Sequence, residues 1–308
     1  MSFTSVVKNE VSKLETKEAE SIAELSAIIR NIGVFVSDRI KVTTENASVA
    51  RRIFNLIKKI YHISPKITVR RGYNFNKNYV YILEITHKTD FILSDLSIDY
   101  ENIDNIPKLY IYGDDEQSRA YLRGIFLATG SINDPKKSRY HLEFFVDNLN
   151  YAKFVSKMLN EYNLNSKFLK KDNKYMVYIK EAEKIGDFLR ILNTTNALFY
   201  YEDIRIYRDH KNMTNRLNNC EQANVDKTVL AALKQVSDIE LIEQTCGLEL
   251  LDEKTHEAAI YRLKYKDASL TELGEIITLE TGNSITKSGL YHRFNKIKNL
   301  ADRIRNKG

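Results

Sequence analysis

Apolar residues fall at helical spacing in two stretches of this chain, one well downstream of the other. In Leu122-Arg123-Gly124-Ile125-Phe126-Leu127-Ala128-Thr129-Gly130, the positions Leu122, Gly124, Ile125 and Ala128 share a helix face, and the small ones let a second helix approach closely. Leu25-Ser26-Ala27-Ile28-Ile29-Arg30-Asn31-Ile32-Gly33 matches it in register, with Ala23 over Ala120, Leu25 over Leu122 and Gly33 over Gly130. The continuation recurs as well: ENASVARRIFNLIKKIYHI from Glu45 aligns with DNLNYAKFVSKMLNEYNL from Asp147 once a single-residue gap is allowed. Each copy then enters a segment rich in β-branched and aromatic residues, Tyr79 to Leu83 or Tyr175 to Ile179, which predicts a strand. A glycine after an amphipathic helix is by itself only a C-cap. A common order at a common offset, reaching far beyond the cap, predicts a duplicated domain.

The end of the chain has a different pattern. Ser269-Leu270-Thr271-Glu272 is a capping box that should open a short helix running through Ile277, with Leu270, Leu273, Ile276 and Ile277 on one face. Leu279 to Ser284 is a polar break, and Gly282-Asn283 suits a turn. A second helix opens at Thr286 or its neighbour, and Leu290, Phe294, Ile297, Ala301 and Ile304 form its apolar stripe. Ser288, His292, Asn295 and Asn299 occupy the opposite face, flanked by Lys296 and Arg303. This is the pattern of a helix-turn-helix with its second helix as reader, although the turn is longer than the tight form. Lys287, Ser288, Tyr291 and His292 are placed for base edges, and Arg293, Lys296 and Lys298 for phosphates. Gly289 removes a side chain where the backbone could approach a groove. For His292 a phosphate or water contact stands beside the base-reading role.

Charge sharpens this picture. From Ile285 onward there are seven basic residues (Lys287, Arg293, Lys296, Lys298, Arg303, Arg305, Lys307) against Asp302 alone, a balance of +6 that equals the net charge of the whole 308-residue chain. The remainder sums to zero, so the positive excess sits where phosphates would be neutralised. A basic solvated tail would show the same excess, and the helical order within the tail argues against that. The length suits about two domains, and a content of 43% hydrophobic and 29% charged residues is that of a soluble globular protein. No segment reads as a membrane span, and the start lacks the apolar core of a signal peptide, so a cytoplasmic location is expected. Cys220 and Cys246 fit no zinc spacing and read as reduced thiols. There is no phosphate-cradling glycine loop, nucleophile elbow or His-rich metal spacing, so no cofactor is expected. Residues 205–224 hold five asparagines and four basic residues (Arg205, Arg208, Lys211, Arg216), a composition that fits either a solvated connector or a contact with a DNA backbone. The expected organisation is a duplicated domain over 1–208 (repeats 1–106 and 107–208), a polar linker over 209–226 and a helix-turn-helix domain over 227–308.

The duplicated helix resembles the LAGLIDADG helix of homing endonucleases. In that family the second-last motif position is a carboxylate that holds the catalytic metal, whereas here it is Ile32 in one copy and Thr129 in the other. Neither can replace a carboxylate as a hard-cation ligand. Glu24, Asp134, Glu143 and Asp147 lie near the repeat helices and are expected to be mostly surface residues, so no nuclease activity is expected. The whole chain resembles the bacterial WhiA family. The most specific matches are Thr44-Glu45-Asn46-Ala47 with Ala50-Arg51-Arg52-Ile53, Tyr121 to Gly124 with Gly130 to Pro135, Ser138 to Glu143, Asn215-Arg216-Leu217 with Asn219-Cys220-Glu221, and Lys287-Ser288-Gly289 with His292-Arg293. The resemblance implies an α+β fold, with helices on a saddle of antiparallel strands, followed by an all-α helix-turn-helix domain. It also implies a non-catalytic, nucleoid-associated regulator that binds double-stranded DNA and serves cell division and chromosome segregation, with sporulation in some relatives and with cell-division or transcription proteins as partners. Ser269, Arg208, Lys211 and Arg216 join the helix-turn-helix residues as DNA contacts on this basis. Arg70 and Arg71 join them too, from a stretch ending at Lys77 that is less basic than its family counterpart. The other reading is an RNA- or protein-docking module built on a degenerate nuclease domain, with the basic tail as an accessory.

Overall fold

The computed structural model describes residues 2–36, 38–71, 79–99, 101, 106–137 and 139–306. Residues 72–77 of the stretch that begins at Arg70, together with Ser138 and Lys307, lie outside the described residues. Contacts divide the chain into two compact units, Met1–Arg208 and Asp209–Gly308.

In the first unit α1 (Phe3–Val11) precedes two copies of one motif. The first copy is α2 (Glu18–Ile32), β1 (Gly33–Val36), β2 (Arg39–Thr44), α3 (Ala47–Tyr61), β3 (Lys66–Arg71) and β4 (Tyr79–Ile85). Short helices α4 (Thr89–Asp95) and α5 (Leu109–Tyr112) lead to the second copy. That copy is α6 (Asp115–Thr129), β5 (Gly130–Ile132), β6 (Leu142–Val146), α7 (Leu149–Glu161), β7 (Lys167–Lys171) and β8 (Lys174–Ile179), closed by α8 (Ala182–Ile191). Among the described residues each copy forms an antiparallel sheet, ordered β1-β2-β4-β3 in one and β5-β6-β8-β7 in the other, so the duplication expected from the sequence is present at the level of topology.

The motif helices α2 and α6 pack on each other through small residues. A Cβ built on Gly124 would stand 2.7 Å from the Ala27 Cβ and would collide with the Glu24 carbonyl. The motif-ending glycines are C-caps, their amides donating to the Ile29 and Phe126 carbonyls, but not of the left-handed kind. Gly33 (φ −80°) and Gly130 (φ −72°) are extended, so they turn the helix directly into a strand without visiting the left-handed region. Ile32 and Thr129 are the last helical residues, and the Thr129 hydroxyl donates back to the Ile125 carbonyl.

One acid departs from expectation. Glu24 is fully buried, and its carboxylate takes both Nε (2.8 Å) and Nη2 (2.9 Å) of Arg52, while the Arg123 Nε lies 3.7 Å away. Arg123 also binds Glu20 at 2.8 Å, and Arg52 donates to the Leu14 carbonyl and the Thr16 hydroxyl. Two guanidiniums from separate elements thus converge on this buried carboxylate. The amino-terminal helix is also integral: Phe3, Val7 and Val11 are buried, and Thr4 Oγ1 both accepts from Ile132 N and donates to Ile132 O, each at 2.9 Å.

Helix α9 runs without interruption from Thr195 to Cys246. Residues 209–226 are therefore helical, and the polar linker expected there is instead an exposed stretch of α9. The reason is local, since neither glycine nor proline occurs anywhere between Thr195 and Cys246, and Gly247 at φ +79° follows the helix. The second unit continues with a short 3-10 turn, α10 (Glu253–Lys264), α11 (Leu270–Thr281) and α12 (Lys287–Arg305). Its core joins Ile239 and Ile242 of α9 to Leu273 and Ile277 of α11 and to Leu290, Phe294, Ile297 and Ala301 of α12. The α12 stripe is thus the one its spacing predicts. Helix α11 extends to Thr281, into the segment expected as a break, and stops at Gly282, which supplies the left-handed C-cap at φ +74°. Among the described residues no helix is long and apolar enough to cross a membrane.

Candidate nucleic-acid interface

The capping box forms as the sequence requires. The Ser269 hydroxyl accepts from Glu272 N (3.2 Å), and Ser269 N donates to Glu272 Oε2 (2.7 Å), so this serine is occupied in starting α11. Five residues from Gly282 to Thr286 connect α11 to α12, and Thr286 caps α12 by accepting from Gly289 N at 3.1 Å. Close packing at Gly274 sets the two helices against each other, since a Cβ there would stand 3.2 Å from the Ile285 carbonyl.

Helix α12 divides cleanly into two faces. Opposite the buried stripe, Lys287, Ser288, Tyr291, His292, Lys298, Asn299 and Arg303 are exposed. The Tyr291 and His292 rings meet edge to face at 6.0 Å. A Cβ on Gly289 would find only ordinary contacts, at 3.5 Å from Ile285 and Thr286, so packing within the protein does not require glycine at this position.

The basic residues of α12 separate into two groups. Lys298 and Arg303 stand exposed, whereas Arg293 is half-buried and donates to the Lys254 carbonyl (2.9 Å) and to Glu257 Oε2 (3.0 Å), tying α12 to α10. Lys296 is exposed but pairs with Asp252 Oδ2 at 3.0 Å. Arg305 binds the buried Asp238 of α9 at 2.6 Å and Asp302 at 3.1 Å. The position of Arg293 was legible, because it lies three residues after Leu290 and four before Ile297, on the edge of the apolar stripe.

Asp252 couples this pairing to folding. It caps α10 through Thr255 N (3.1 Å) and Thr255 Oγ1 (2.9 Å) while accepting from Lys296. The Lys296 hydrogen bond, followed by those from the Thr255 hydroxyl and amide, holds its carboxyl below the usual carboxylate range. A carboxyl depressed in the folded state stabilises above its unfolded pKa and loses that contribution as pH falls through the folded value. Asp252→Asn keeps a good cap but cannot ionise. The melting temperature of the variant should therefore fall less than that of the natural chain between pH 5 and pH 3, as followed by circular dichroism, and parallel curves would contradict this role.

The remaining candidates lie elsewhere. Lys211 and Arg216 are exposed on α9. Arg208 is tied within the first unit: it donates to the Pro135 (2.7 Å) and Lys137 (2.6 Å) carbonyls and lies 4.5 Å over the Tyr140 ring. Arg70 and Arg71 are exposed at the end of β3, opposite Val80 and Tyr79 of β4. The second sheet adds a basic and aromatic surface that the sequence reading did not single out. Lys167, Lys170 and Lys171 on β7 are exposed, Lys171 Nζ sits 5.1 Å over the Phe145 ring and Lys180 Nζ sits 4.8 Å over the Tyr178 ring. Strand alternation could have indicated part of it, because Phe145 and Tyr178 fall opposite the core set Leu142, Phe144 and Val177, and Lys167 is in register with Tyr178. Among the described residues no group of three or more His, Cys, Asp or Glu converges as a metal site.

A duplicated helix-on-sheet unit whose paired helices meet through a glycine, followed by a helical unit bearing a helix-turn-helix, defines a LAGLIDADG-like protein with a terminal helix-turn-helix domain. Family models agree region by region: the WhiA N-terminal LAGLIDADG-like domain matches residues 18–99, the WhiA LAGLIDADG-like domain residues 118–211 and the WhiA C-terminal HTH domain residues 214–301. The chain belongs to the WhiA family. It is 45% identical over 312 residues to "Probable cell division protein WhiA" of Staphylococcus aureus strain USA300, and the match covers 99% of this chain and 98% of that one; the strain Newman protein gives the same figures. Among solved structures, full-length DUF199/WhiA from Thermatoga maritima is similar with a TM-score of 0.59 at 27% identity, over 98% of this chain and 99% of that one.

Proposed function

We propose that this chain is a non-catalytic, sequence-specific DNA-binding regulator that serves cell division and chromosome segregation, acting at the nucleoid. The observation that carries the reading is α12. It lies over a packed partner helix and presents Ser288, Tyr291 and His292 near its amino terminus, with Lys298 and Arg303 exposed further along. That arrangement suits a helix entering a major groove, with base contacts near its start and phosphate contacts along its flanks. The name carried by the Staphylococcus relatives supports the cell-division setting. The absence of a carboxylate at Ile32 and Thr129 supports the non-catalytic reading.

His292→Ala tests sequence reading. At a base edge it should relax preference at one position of a selected site and cost about 1–3 kcal/mol there. A uniform loss on all sequences would make His292 a backbone contact. Gly289→Ala tests the approach of the backbone. Within a helix the change should stabilise the fold by up to about 1 kcal/mol, while an added methyl facing a groove should weaken DNA binding. A rise in melting temperature with undiminished affinity would remove Gly289 from the interface.

For the first unit a second reading is favoured by its second sheet. Lysines over Phe145 and Tyr178, on the sheet face that also carries exposed Leu169, would suit RNA or a protein partner as well as DNA. A protein partner held through the apolar residues would depend little on salt, whereas RNA held by the lysines would share the salt dependence of binding through α12.

A further inference from the structure

Every residue of α9 from 209 to 228 is exposed, a length of about 30 Å with no other element against it. The stretch includes Asn212, Asn215, Asn218, Asn219 and Asn224, residues that favour helix poorly, and a helix of such composition is marginal in water without a partner. One side of it is patterned. Ile206, His210, Met213, Leu217, Cys220 and Asn224 follow at spacings of four, three, four, three and four, the repeat that keeps two helices in contact along one seam. Ile206, Met213 and Leu217 are 60%, 64% and 54% exposed, and Cys220 is a free, exposed thiol.

The sides of α9 that pack within the protein lie off this seam. Tyr201 is fully buried and Arg208 is tied to the Pro135 and Lys137 carbonyls, and both fall on the side of the helix away from Ile206. Ala232 and Val236, buried in the second unit, also lie off the line that continues the seam. Charge beside the seam selects its occupant. Arg216 precedes Leu217 and Glu221 follows Cys220, both exposed. In two parallel helices in register these flanking positions face one another, so Arg216 of each copy meets Glu221 of the other. An antiparallel pair with Leu217 over Met213 would instead set Arg216 against Arg216. Asn224 adds to the choice, since one polar residue on such a seam fixes register and favours two strands.

We infer that this face of α9 binds a second copy of the chain, forming a parallel two-stranded coiled coil over residues 206–224 in which Arg216 and Glu221 pair across the seam. The second copy covers Met213 and Leu217 and gives the asparagine-rich stretch the support that its composition lacks. The pair carries two copies of α12, which suits DNA with two half-sites. That consequence rests on the DNA-binding reading, whereas the pairing does not.

The test is sedimentation equilibrium of the full chain without DNA, under reducing conditions. A concentration-dependent dimer is expected. Leu217→Asp, an exposed position in the single chain, should weaken it about a hundredfold or more, because two buried leucines are lost at once. Arg216→Glu should weaken it about threefold to tenfold by setting like charges across the seam, and the double exchange Arg216→Glu with Glu221→Arg should restore it. Direction is read from Cys220 in a chain carrying Cys246→Ser. Parallel helices bring the two Cys220 thiols within disulfide reach, so diamide, which accepts the two electrons and two protons, should join them, and Leu217→Asp at the same concentration should stop it. A chain that stays monomeric up to about 0.5 mM, or a dimer indifferent to Leu217→Asp, would overturn the pairing. A dimer that the charge exchange does not restore, or whose Cys220 thiols do not join, would overturn the parallel register.

Discussion

Glu24→Ala should destabilise the first unit by about 3–5 kcal/mol, the usual cost of removing one partner from a buried ion pair. The carboxylate is fully buried and is the shared acceptor between Arg52 of α3 and Arg123 of α6, so its loss strands positive charge at the junction of the two repeats. Arg123 retains Glu20, and Arg52 retains the Leu14 carbonyl, which keeps the loss from being larger. Glu24→Gln preserves volume and one acceptor and should cost less. Because the chain has two units, urea unfolding should split into two transitions, with only the one that reports the first unit moved by the substitution. A loss below about 1 kcal/mol, the worth of an exposed pair, would show that the network does not hold the repeats together.

Replacing Lys287, Lys298 and Arg303 together by glutamine should reduce DNA affinity by orders of magnitude at moderate salt and leave folding intact, since all three are exposed. If each neutralises one phosphate, the slope of log affinity against log salt should fall by about 0.9 per residue, or about 2.7 for the three. Arg293→Gln should behave in the opposite way, lowering stability through the lost contacts with Lys254 and Glu257 while changing the slope little. A triple variant with an unchanged slope would move phosphate binding away from α12.

What the sequence made legible was local or periodic. The capping box at Ser269 is written in four consecutive residues, the α12 stripe in its spacing, and the duplication in a repeated order of helix, strand and helix. What it did not reveal depends on distant partners. Glu24 reads as a surface acid until Arg52 and Arg123 converge on it from other elements. Arg208 reads as a DNA contact until the Pro135 and Lys137 carbonyls claim its guanidinium. The polar run over 209–226 reads as a linker because asparagine and charge are common in connectors, yet without glycine or proline nothing in it ends α9.

The most direct test of the central claim is duplex DNA binding by the intact chain and by a chain ending at Asn224, titrated across salt with and without magnesium. The account predicts salt-sensitive binding by the intact chain, loss of binding on truncation and uncut DNA with magnesium present. Equally tight binding by the truncated chain, or cleavage, would place the activity in the duplicated unit and contradict the assignment of α12 as the reader.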